Sequence, residues 1–376
     1  MERKLASIQK IVDLQPIEGA DKIEVATVLG WHIVVSKSEN HKVGDLICYI
    51  EVDSQCPETP MFEFLKDRKY RVRTIKLRKQ VSQGLVIPLS AMPKGNYIEG
   101  QDVTKLLGIT KYDPQAEAEA KLMEEEMRKN KNPIHKFLMK YKWYRKLYNK
   151  FKKPKKGGFP SWISKTDETR IQSLSREFYD IVSKNNTSQS ITFDSTEKLD
   201  GQSGTFFIKK YKKFGFINSY EFGVCSRNLR IKTENNSSYW TVARQYNIED
   251  TLKSILKKYN ANNIVLQGEI CGEGIQGNKY HISGDGFYFA VFNLIIDGKK
   301  HRTCEIKEIL KPYKIDTVPI IDTDVLLKDT IDEMVENSKG NSVLYKTKRE
   351  GKVWRSTDCN TSFKVINPDF LLKYDE

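Results

Sequence analysis

The sequence predicts an α+β protein in three parts: a small β-barrel over residues 1–108, a basic helical linker over 109–158 and an α+β domain over 159–376. Three observations lead to this division. Short runs rich in valine, isoleucine and aromatic residues, separated by turn residues, fill the first part. Almost all of the excess positive charge falls in the second part, and strand-like and helix-like runs alternate in the third.

The composition excludes several classes of protein. A hydrophobic content of 39%, with 11% aromatic residues, suffices to bury cores in a chain of 376 residues, so global disorder is excluded. No apolar run approaches the ~18 residues that a membrane span needs, and no apolar stretch follows the first charged residues, so we expect neither an integral membrane protein nor a secreted one. The six cysteines form no C-x-x-C pair and have no histidine at zinc spacing, which indicates reduced thiols in a cytoplasmic or nuclear compartment.

The first part has the strand pattern of a small barrel. Strands are expected at residues 6–14, 23–29, 31–36, 46–52 and 70–88, with turn residues such as Gly19-Ala20-Asp21 and Gly44-Asp45 between them. Five short strands in ~100 residues suit the OB-fold, a barrel that binds oligonucleotides.

The last of these strand regions is unusually basic. Residues 66–79 hold eight lysines and arginines against one aspartate. Arg71 and Arg73 would share one face of an extended strand, whereas Lys76 and Arg78 have the opposite parity, so a bulge or bend is needed to bring all four together. Two interpretations stay open: an edge strand protected by charge, and a face that grips nucleic acid.

The linker carries its charge in one block. Between residues 128 and 156 there are thirteen lysines and arginines and no acidic residue, and the other 50 basic residues balance the 49 acidic ones. Such a block suggests contact with a polyanion, either nucleic acid or an anionic membrane, although a solvated linker helix explains it as well. Helical spacing is visible at 116–130 and 134–151, and we expect the aromatic stripe of the second helix to pack on a neighbouring domain.

The third part alternates the two periodicities. Helical spacing appears at 170–184 and 241–259. Strand-like runs occupy 190–198, 205–210, 264–270, 287–296 and 342–347. We therefore expect an α+β domain, and the residues that could take part in a reaction lie in it.

A short motif, Lys198-Leu199-Asp200-Gly201, closes one of these predicted strands. A lysine at a strand end, followed by a turn, can direct its amine into a cleft, but the motif alone is weak evidence. Its value rises with the elements that follow in order. Glu269 ends a strand 71 residues on, an aromatic strand covers 287–294, Glu350 comes 81 residues after Glu269, and Lys364 comes 14 residues later.

This ordered set resembles the covalent nucleotidyltransferases, the superfamily of polynucleotide ligases and mRNA capping enzymes. Lys198 stands in the place of their motif I, Glu269 in motif III and the aromatic strand in motif IIIa. Glu350-Gly351-Lys352-Val353 is similar to motif IV, Phe363-Lys364-Val365 to motif V and Ser226-Arg227-Asn228 to motif Ia. The finer resemblance is to the fifth family of RNA ligases, in which an OB domain precedes the ligase domain; residues 19–29, 70–89 and 159–172 are similar to segments of that family.

The resemblance implies an ATP-dependent RNA ligase that joins 3′-OH and 5′-phosphate ends of RNA, with nicked duplex RNA as the expected substrate. Lys198 would be the nucleophile that forms lysyl-AMP, and Lys364 would be a cation beside the attacked phosphate. Glu269 and Glu350 would hold Mg²⁺ or Mn²⁺ through its waters, because Mg²⁺ gives up its waters reluctantly. We expect a monomer.

Further residues would surround the nucleotide in such an enzyme. Phe292 would stack on adenine, and Phe289, on the same strand with opposite parity, is the alternative. Glu269 would also contact the ribose. The remaining candidates are Arg170 and Gln172 for the sugar and base edges, Arg227 and Asn228 for the terminal phosphate or the 3′-OH strand, and Glu197 and Lys352 for the nucleotide.

The chemistry sets a condition on the lysine. An amine that attacks the α-phosphorus of ATP must be unprotonated, against an ordinary lysine pKa of about 10.4. We therefore expect burial and nearby cations, such as Lys364 and a bound metal ion, to lower the pKa of Lys198.

Two positions depart from the wider ligase pattern. Ser203 stands where many relatives have arginine, and Ile366 stands where motif V usually has its second lysine. Both departures agree with the fifth family. They leave the second phosphate cation open, with Lys346, Lys348 and Lys352 as candidates.

Two other classes of function compete with this interpretation. A DNA ligase or a capping guanylyltransferase would place its OB domain after motif V, but only twelve residues follow Lys364. A non-enzymatic protein that binds RNA or a membrane surface would use the barrel and the basic linker, yet it would have no need of the lysine and carboxylate set.

Overall fold

A computed structural model gives the structure of the chain and describes residues 4–112, 141, 156–213, 217–231, 234, 236–284 and 286–374. The chain divides into two compact units, Met1–Pro154 and Lys155–Glu376. The helices predicted at 116–130 and 134–151, and nearly all of the basic block 128–156, lie outside the described residues. Within the part that is described, no helix is long and apolar enough to cross a membrane.

The first unit is built on an antiparallel sheet with the strand order β3-β2-β1-β4-β8. β3 shows the expected alternation, because Trp31, Ile33 and Val35 are buried while the residues between them are partly exposed. This half-barrel agrees with the predicted OB-fold. The strands of the unit are β1 (Ala6–Pro16), β2 (Ile23–Val28), β3 (Trp31–Ser36), β4 (Leu46–Ile50), β5 (Ser54–Gln55), β6 (Thr74–Leu77), β7 (Gln80–Gln83), β8 (Leu85–Pro88) and β9 (Thr110–Lys111).

The prediction of one strand region over 70–88 is wrong, because the chain turns within it. A 3₁₀ helix, Pro60–Arg68, is followed by Lys69 and Tyr70, which both adopt left-handed backbone angles with φ of 53° and 58°. β6 and β7 then form a hairpin whose turn residues, Arg78 and Lys79, also have positive φ. The basic residues of 66–79 are therefore distributed over a helix, a hairpin and two turns rather than along one strand face.

The second unit contains two sheets. The larger has the strand order β10-β14-β13-β12-β15-β16-β17, with β18 parallel to β16, and the smaller has the order β19-β11-β20-β21. This is the predicted α+β architecture. The strands are β10 (Lys156–Gly158), β11 (Phe193–Lys198), β12 (Gln202–Lys213), β13 (Ile217–Cys225), β14 (Leu229–Ile231), β15 (Asn263–Cys271), β16 (Tyr288–Ile296), β17 (Lys299–Lys300), β18 (Asp316–Thr317), β19 (Ile320–Val325), β20 (Gly351–Ser356) and β21 (Ser362–Ile366). The helices are α1 (Ser175–Val182), α2 (Ser238–Gln245), α3 (Ile248–Lys258), α4 (Thr303–Leu310), α5 (Ile331–Ser338) and α6 (Pro368–Tyr374).

Each sheet buries one face under helices. Apolar residues of β12, β15 and β16 pack under α2, α3 and α4, among them Phe206, Ile208, Leu266, Phe289, Leu252 and Leu310. Apolar residues of β11, β20 and β21 pack under α1 and α5, among them Phe193, Trp354, Phe363, Phe178 and Met334. Glu269 lies on the other face of the larger sheet, because its neighbour Ile270 packs under the helices and strand residues alternate.

Two further predictions for this unit need correction. The single helix predicted at 241–259 is two helices, α2 and α3, because Asn247 between them has a left-handed φ of 46°. The strand predicted at 342–347 is a loop, whose ends meet in one bridge between Asn341 and Lys348. The sequence also gave no indication of β13, β19, β20 or β21, three of which form the smaller sheet around β11.

Candidate active site

Lys198 is the last residue of β11, the strand that lies between β19 and β20. Its register partner on β20 is Gly351, so Glu350 lies beside it, and Lys198 Nζ donates a hydrogen bond of 2.6 Å to Glu350 Oε2. A Cβ at Gly351 would lie 2.2 Å from the Val365 carbonyl oxygen, so a glycine is required where β21 passes. The side chains of Lys198 and Glu350 are 24% and 14% exposed, which makes this a largely buried ion pair.

Glu269 brings a second carboxylate to the same place. It lies on β15, opposite Ser203 of β12 and Ala290 of β16. A Cβ at Gly201 would lie 2.9 Å from Glu269 Cγ, so the glycine of the Lys-x-Asp-Gly motif lets β12 begin this close. Burial raises the pKa of Glu269 to about 8, and the negative charge of Glu350 adds to that rise although Lys198 opposes it.

The expected lowering of the Lys198 pKa is wrong for the chain by itself. Burial does disfavour the ammonium form, but the charges of Glu350 and Glu269 outweigh it, and the pKa of Lys198 is raised. Burial likewise raises the pKa of Glu350, so this carboxylate sits in a poorly solvated position beside another one. The sequence analysis counted the cations near Lys198 and left out the carboxylates that the fold places there.

The carboxylate pair fits a divalent cation. Glu269 and Glu350 supply hard oxygen donors in a buried position, and burial raises the pKa of both carboxyl groups. Among the residues that the structure describes there is no group of three or more His, Cys, Asp or Glu side chains arranged to bind a metal directly. Two carboxylates without a third ligand suit an ion that keeps several of its waters, as Mg²⁺ does.

Lys364 lies on β21, opposite Val353, and its Nζ is 3.4 Å from Asp167 Oδ1. The other oxygen of Asp167 is 2.9 Å from Arg227 Nη2, and Arg227 occupies the turn between β13 and β14. One half-exposed carboxylate therefore bridges the two cations that the sequence assigned to phosphate contacts. Asp167 was not among the predicted site residues. Its position three residues before Arg170, in the segment 159–172, was a usable signal.

Arg170 and Gln172 follow directly after that segment and are 6% and 3% exposed. Arg170 forms a parallel bridge with Lys364, and Lys364 N–H donates to the Thr169 carbonyl, so the segment is paired to the edge of β21. Gln172 Oε1 is buried and has no hydrogen-bond partner among the described residues. The backbone of Arg170 thus lies beside that of Lys364, whereas Asn228 lies in the β13–β14 turn beside Arg227.

Phe292 lies at a β-bulge. Gly268 of β15 pairs with Val291 of β16, and Gln267 pairs with Asn293. Phe292 is therefore the extra residue of the bulge. It is half-buried and packs beside Leu199 and the other apolar residues near the Lys198 turn. Phe289, the alternative, is fully buried in the helix-covered core against Phe206, so it is not available to a ligand.

The side chains of Glu197 and Lys352 do not join this set. They are register partners on β11 and β20 and point to the face opposite Lys198, because successive strand residues alternate. Glu197 Oε2 accepts a hydrogen bond of 2.8 Å from Val343 N–H. Lys352 Nζ is 3.0 Å from Asp322 Oδ2 and 2.8 Å from Asn337 Oδ1, and burial lowers its pKa. Their assignment to the nucleotide stays a prediction.

The other candidates for the second phosphate cation are on the loop after α5. Lys346 is exposed there and Lys348 is half-buried. Ser203, which replaces the arginine of many ligases, has its hydroxyl 2.8 Å from that of Thr166, so this position joins the segment before Arg170 to β12.

Two contacts around the site had no signal in the sequence. Asp200 forms an ion pair with Lys279, whose Nζ lies 5.3 Å and 5.4 Å from the ring centroids of Phe370 and Tyr374, so α6 is packed near the Lys198 turn. Arg355 lies 5.9 Å from the Phe292 ring centroid and 3.4 Å from Glu168.

A strand-terminal lysine, two poorly solvated carboxylates and a second lysine on β21 of the same sheet define a nucleotidyltransferase of the ligase type. A family model described as RNA ligase matches residues 192–374, and one described as an OB-fold domain matches residues 5–89. The chain belongs to the RNA ligase family, because it is also 30% identical over nearly its whole length to a solved RNA ligase.

That relative is the RNA ligase of Naegleria gruberi. A mutant of it in the apo form has a TM-score of 0.76 at 30% identity and covers 99% of this chain and 98% of that chain. The same ligase with PPi gives a TM-score of 0.77 at 30% identity, with coverage of 100% and 99%. A mutant with ATP and Mn gives 0.75 at 29% identity, with coverage of 99% for both chains. No curated protein sequence matches this chain.

Proposed function

We propose that this RNA ligase uses ATP and a divalent metal ion to join a 3′-OH end and a 5′-phosphate end of RNA, and that Lys198 is its nucleophile. The observation that carries the proposal is the buried contact of 2.6 Å between Lys198 Nζ and Glu350, with Glu269 alongside. Related structures that contain ATP and Mn, AMP and Mn, or PPi support the choice of nucleotide and metal.

In the first step the Lys198 amine attacks the α-phosphorus of ATP. A nitrogen–phosphorus bond forms, the bond from that phosphorus to the bridging oxygen breaks, and pyrophosphate leaves. The amine must first lose its proton. Glu350 and Glu269, followed by Asp200, are the carboxylates that raise its pKa, so neutralising the two glutamates favours the free amine.

Glu269 and Glu350 would hold Mg²⁺ or Mn²⁺, and the bound ion would supply that neutralising charge beside the reacting phosphate. Lys364 supplies a positive charge from the protein itself. It is paired with Asp167, so the incoming phosphate competes with this carboxylate for Lys364 and Arg227.

The nucleoside is held by side chains of both sheets. Phe292 stacks on the adenine, since the bulge exposes part of its ring beside Leu199. Arg170 and Gln172 would contact the sugar and base edges, and the buried, unsatisfied carbonyl oxygen of Gln172 supports this role. Arg227 and Asn228, in one turn, contact the terminal phosphate or the 3′-OH strand.

Two transfers complete the reaction. The 5′-phosphate oxygen of RNA attacks the phosphorus of lysyl-AMP, which releases Lys198 and leaves an AMP-capped RNA end. The 3′-OH then attacks the 5′-phosphorus, a phosphodiester forms and AMP leaves. We propose nicked duplex RNA as the substrate and a monomer as the active form, and the OB-fold over residues 5–89 as a second RNA contact.

The test is incubation with ATP labelled at the α-phosphate, followed by denaturing electrophoresis. Lys198→Ala should abolish labelling of the protein, because no other amine replaces the nucleophile. Lys184→Ala is the control, since Lys184 lies on the surface in an exposed pair with Asp180. Wild-type labelling of Lys198→Ala would remove Lys198 from the mechanism, and labelling by GTP in place of ATP would remove the choice of nucleotide.

A further inference from the structure

One face of β12 runs outward from the site to the exposed part of the β12–β13 hairpin. Ser203 is the register partner of Glu269, and Phe207 is the partner of Val265 on the same face. Because strand residues alternate, Lys209 and Tyr211 continue this face beyond Phe207. Glu269 and Tyr211 are thus joined by one continuous row of side chains.

The outer end of this row carries aromatic rings and a lysine. Trp162 packs edge-on against Phe207, with ring centroids 5.4 Å apart, and is 41% exposed. Lys209 Nζ lies 5.3 Å from the Trp162 ring, and Tyr211 is 44% exposed. We call Trp162, Lys209 and Tyr211 the hairpin platform.

The electrostatics of the platform favour an anionic partner. Lys209 forms no ion pair with any carboxylate in the described part of the chain, because its cross-strand partner Glu221 is held by Arg230 at 2.6 Å. Arg230 also lies 5.1 Å over the Phe207 ring, on the same face. The surface therefore combines stacking rings with uncompensated positive charge.

We propose that the hairpin platform binds a strand of the RNA substrate where it leads away from the joining site. Exposed aromatic rings beside cations are the means by which proteins hold nucleic acid strands without reading their sequence. The proposal rests on RNA ligation by the Lys198 site, and it adds a location that the nucleotide chemistry does not require. A protein partner would be expected to select an apolar patch rather than a lysine beside an aromatic ring.

The length of the row sets the RNA length that reaches the platform. Eight residues separate Ser203 from Tyr211, which at ~3.4 Å per residue is about 27 Å. A stacked strand advances ~3.4 Å per nucleotide, so about eight nucleotides cover that distance. An RNA of four nucleotides should therefore end short of Tyr211.

The hairpin itself offers a matched control. Lys210 and Tyr220 are register partners on the opposite face, the side of Ile208 and Phe222, and Tyr220 is 47% exposed. The variant Lys209→Ala/Tyr211→Ala and the variant Lys210→Ala/Tyr220→Ala each remove one lysine and one tyrosine from the β12–β13 hairpin. Only the first pair lies on the face that leads to Glu269.

The experiment measures binding of a fluorescent 12-nucleotide single-stranded RNA by the full chain at several salt concentrations, and the unfolding midpoint of each variant. The platform variant should bind at least about fivefold more weakly, since one base stacked on an aromatic ring accounts for that much. Its slope of log affinity against log salt should fall by about 0.7, the value for one phosphate contact on a single strand. The control variant should bind as the wild type does, and both should keep the wild-type unfolding midpoint.

Equal losses in the two variants, or none in either, would overturn the proposal, as would an equal loss for a four-nucleotide RNA. Replacing Trp162 by phenylalanine gives an independent readout, because any quenching of tryptophan fluorescence on RNA addition should shrink in Trp162→Phe if the base stacks there. A wild-type protein that neither seals nor binds RNA would refute the function itself, whereas a wild type that seals normally beside an unaffected platform variant refutes only the platform.

Discussion

The ion pair between Arg302 and Asp194 should stabilise the strand that carries Lys198. Asp194 is 5% exposed on β11, and Arg302 Nε and Nη2 donate to its two oxygens at 2.9 Å and 2.8 Å. Arg302 immediately precedes α4, so this bidentate pair attaches β11 to the helix that covers the larger sheet. Arg302→Met leaves a buried carboxylate without its cation.

The expected cost follows from burial. Removing one partner of a buried pair costs ~3–5 kcal/mol, because the remaining charge is uncompensated. Arg302 is 23% exposed and Asp194 keeps a hydrogen bond of 3.1 Å from Asp324 N–H, so the loss should be smaller. We expect a decrease of about 2–4 kcal/mol in the free energy of unfolding for the unit, with Arg302→Lys recovering only part of it, since an ammonium group cannot form the bidentate pair.

The assay is urea unfolding followed by circular dichroism. Lys184→Met is the control, because its pair with Asp180 is 40% and 67% exposed and such a pair contributes about 0.5 kcal/mol or less. A shift in Arg302→Met no larger than that of the control would refute the reasoning from burial.

Three other perturbations separate the roles of neighbouring residues in the site. Phe292→Leu should raise the KM for ATP at least about fivefold through lost stacking, whereas Phe289→Leu should lower the unfolding midpoint and leave that KM unchanged; the reverse pattern would contradict the bulge assignment. Glu350→Gln removes one of the negative charges that raise the pKa of Lys198, so this pKa should fall and the acid limb of kcat/KM for adenylation should move to lower pH; an unmoved limb would count against the ion pair. Asp167→Asn frees Lys364 and Arg227 from their shared carboxylate, so the inhibition constant of pyrophosphate should fall by up to about fivefold; weaker inhibition would mean that Asp167 orients these cations rather than competing with the phosphate.

The sequence was informative where local pattern and order determine the outcome. The alternation in 31–36 predicted β3 with its bounds, and the ordered motifs assigned Lys198 and Glu350 to one site although 152 positions separate them. It was not informative where a single backbone irregularity determines which side chain faces the site. Phe289 and Phe292 have equal claims on a regular strand, and only the extra residue in the β15–β16 register separates them.

Lys352 is a second example of a backbone irregularity that the sequence does not reveal. Lys352 was one of three candidates for the second phosphate cation, and on a regular strand it would share a face with Glu350. β20 begins only at Gly351, and Glu350 before it follows a different backbone path to reach Lys198. Charge balance around Lys198 was also beyond the sequence, because the pKa depends on carboxylates from β15 and from the start of β20.

The composition of β11 has a consequence for how the chain is made. This strand, Phe-Asp-Ser-Thr-Glu-Lys, is almost entirely buried in the finished protein, yet five of its six side chains are polar. Its neighbours in the sheet are β19 and β20, and Glu350 follows Lys198 by 152 positions. At ~5–20 residues per second a ribosome needs about 8–30 s to cover that distance. During this interval an apolar central strand would expose an open template for aggregation, whereas the charges of Asp194, Glu197 and Lys198 keep the unpaired strand soluble until its partners emerge.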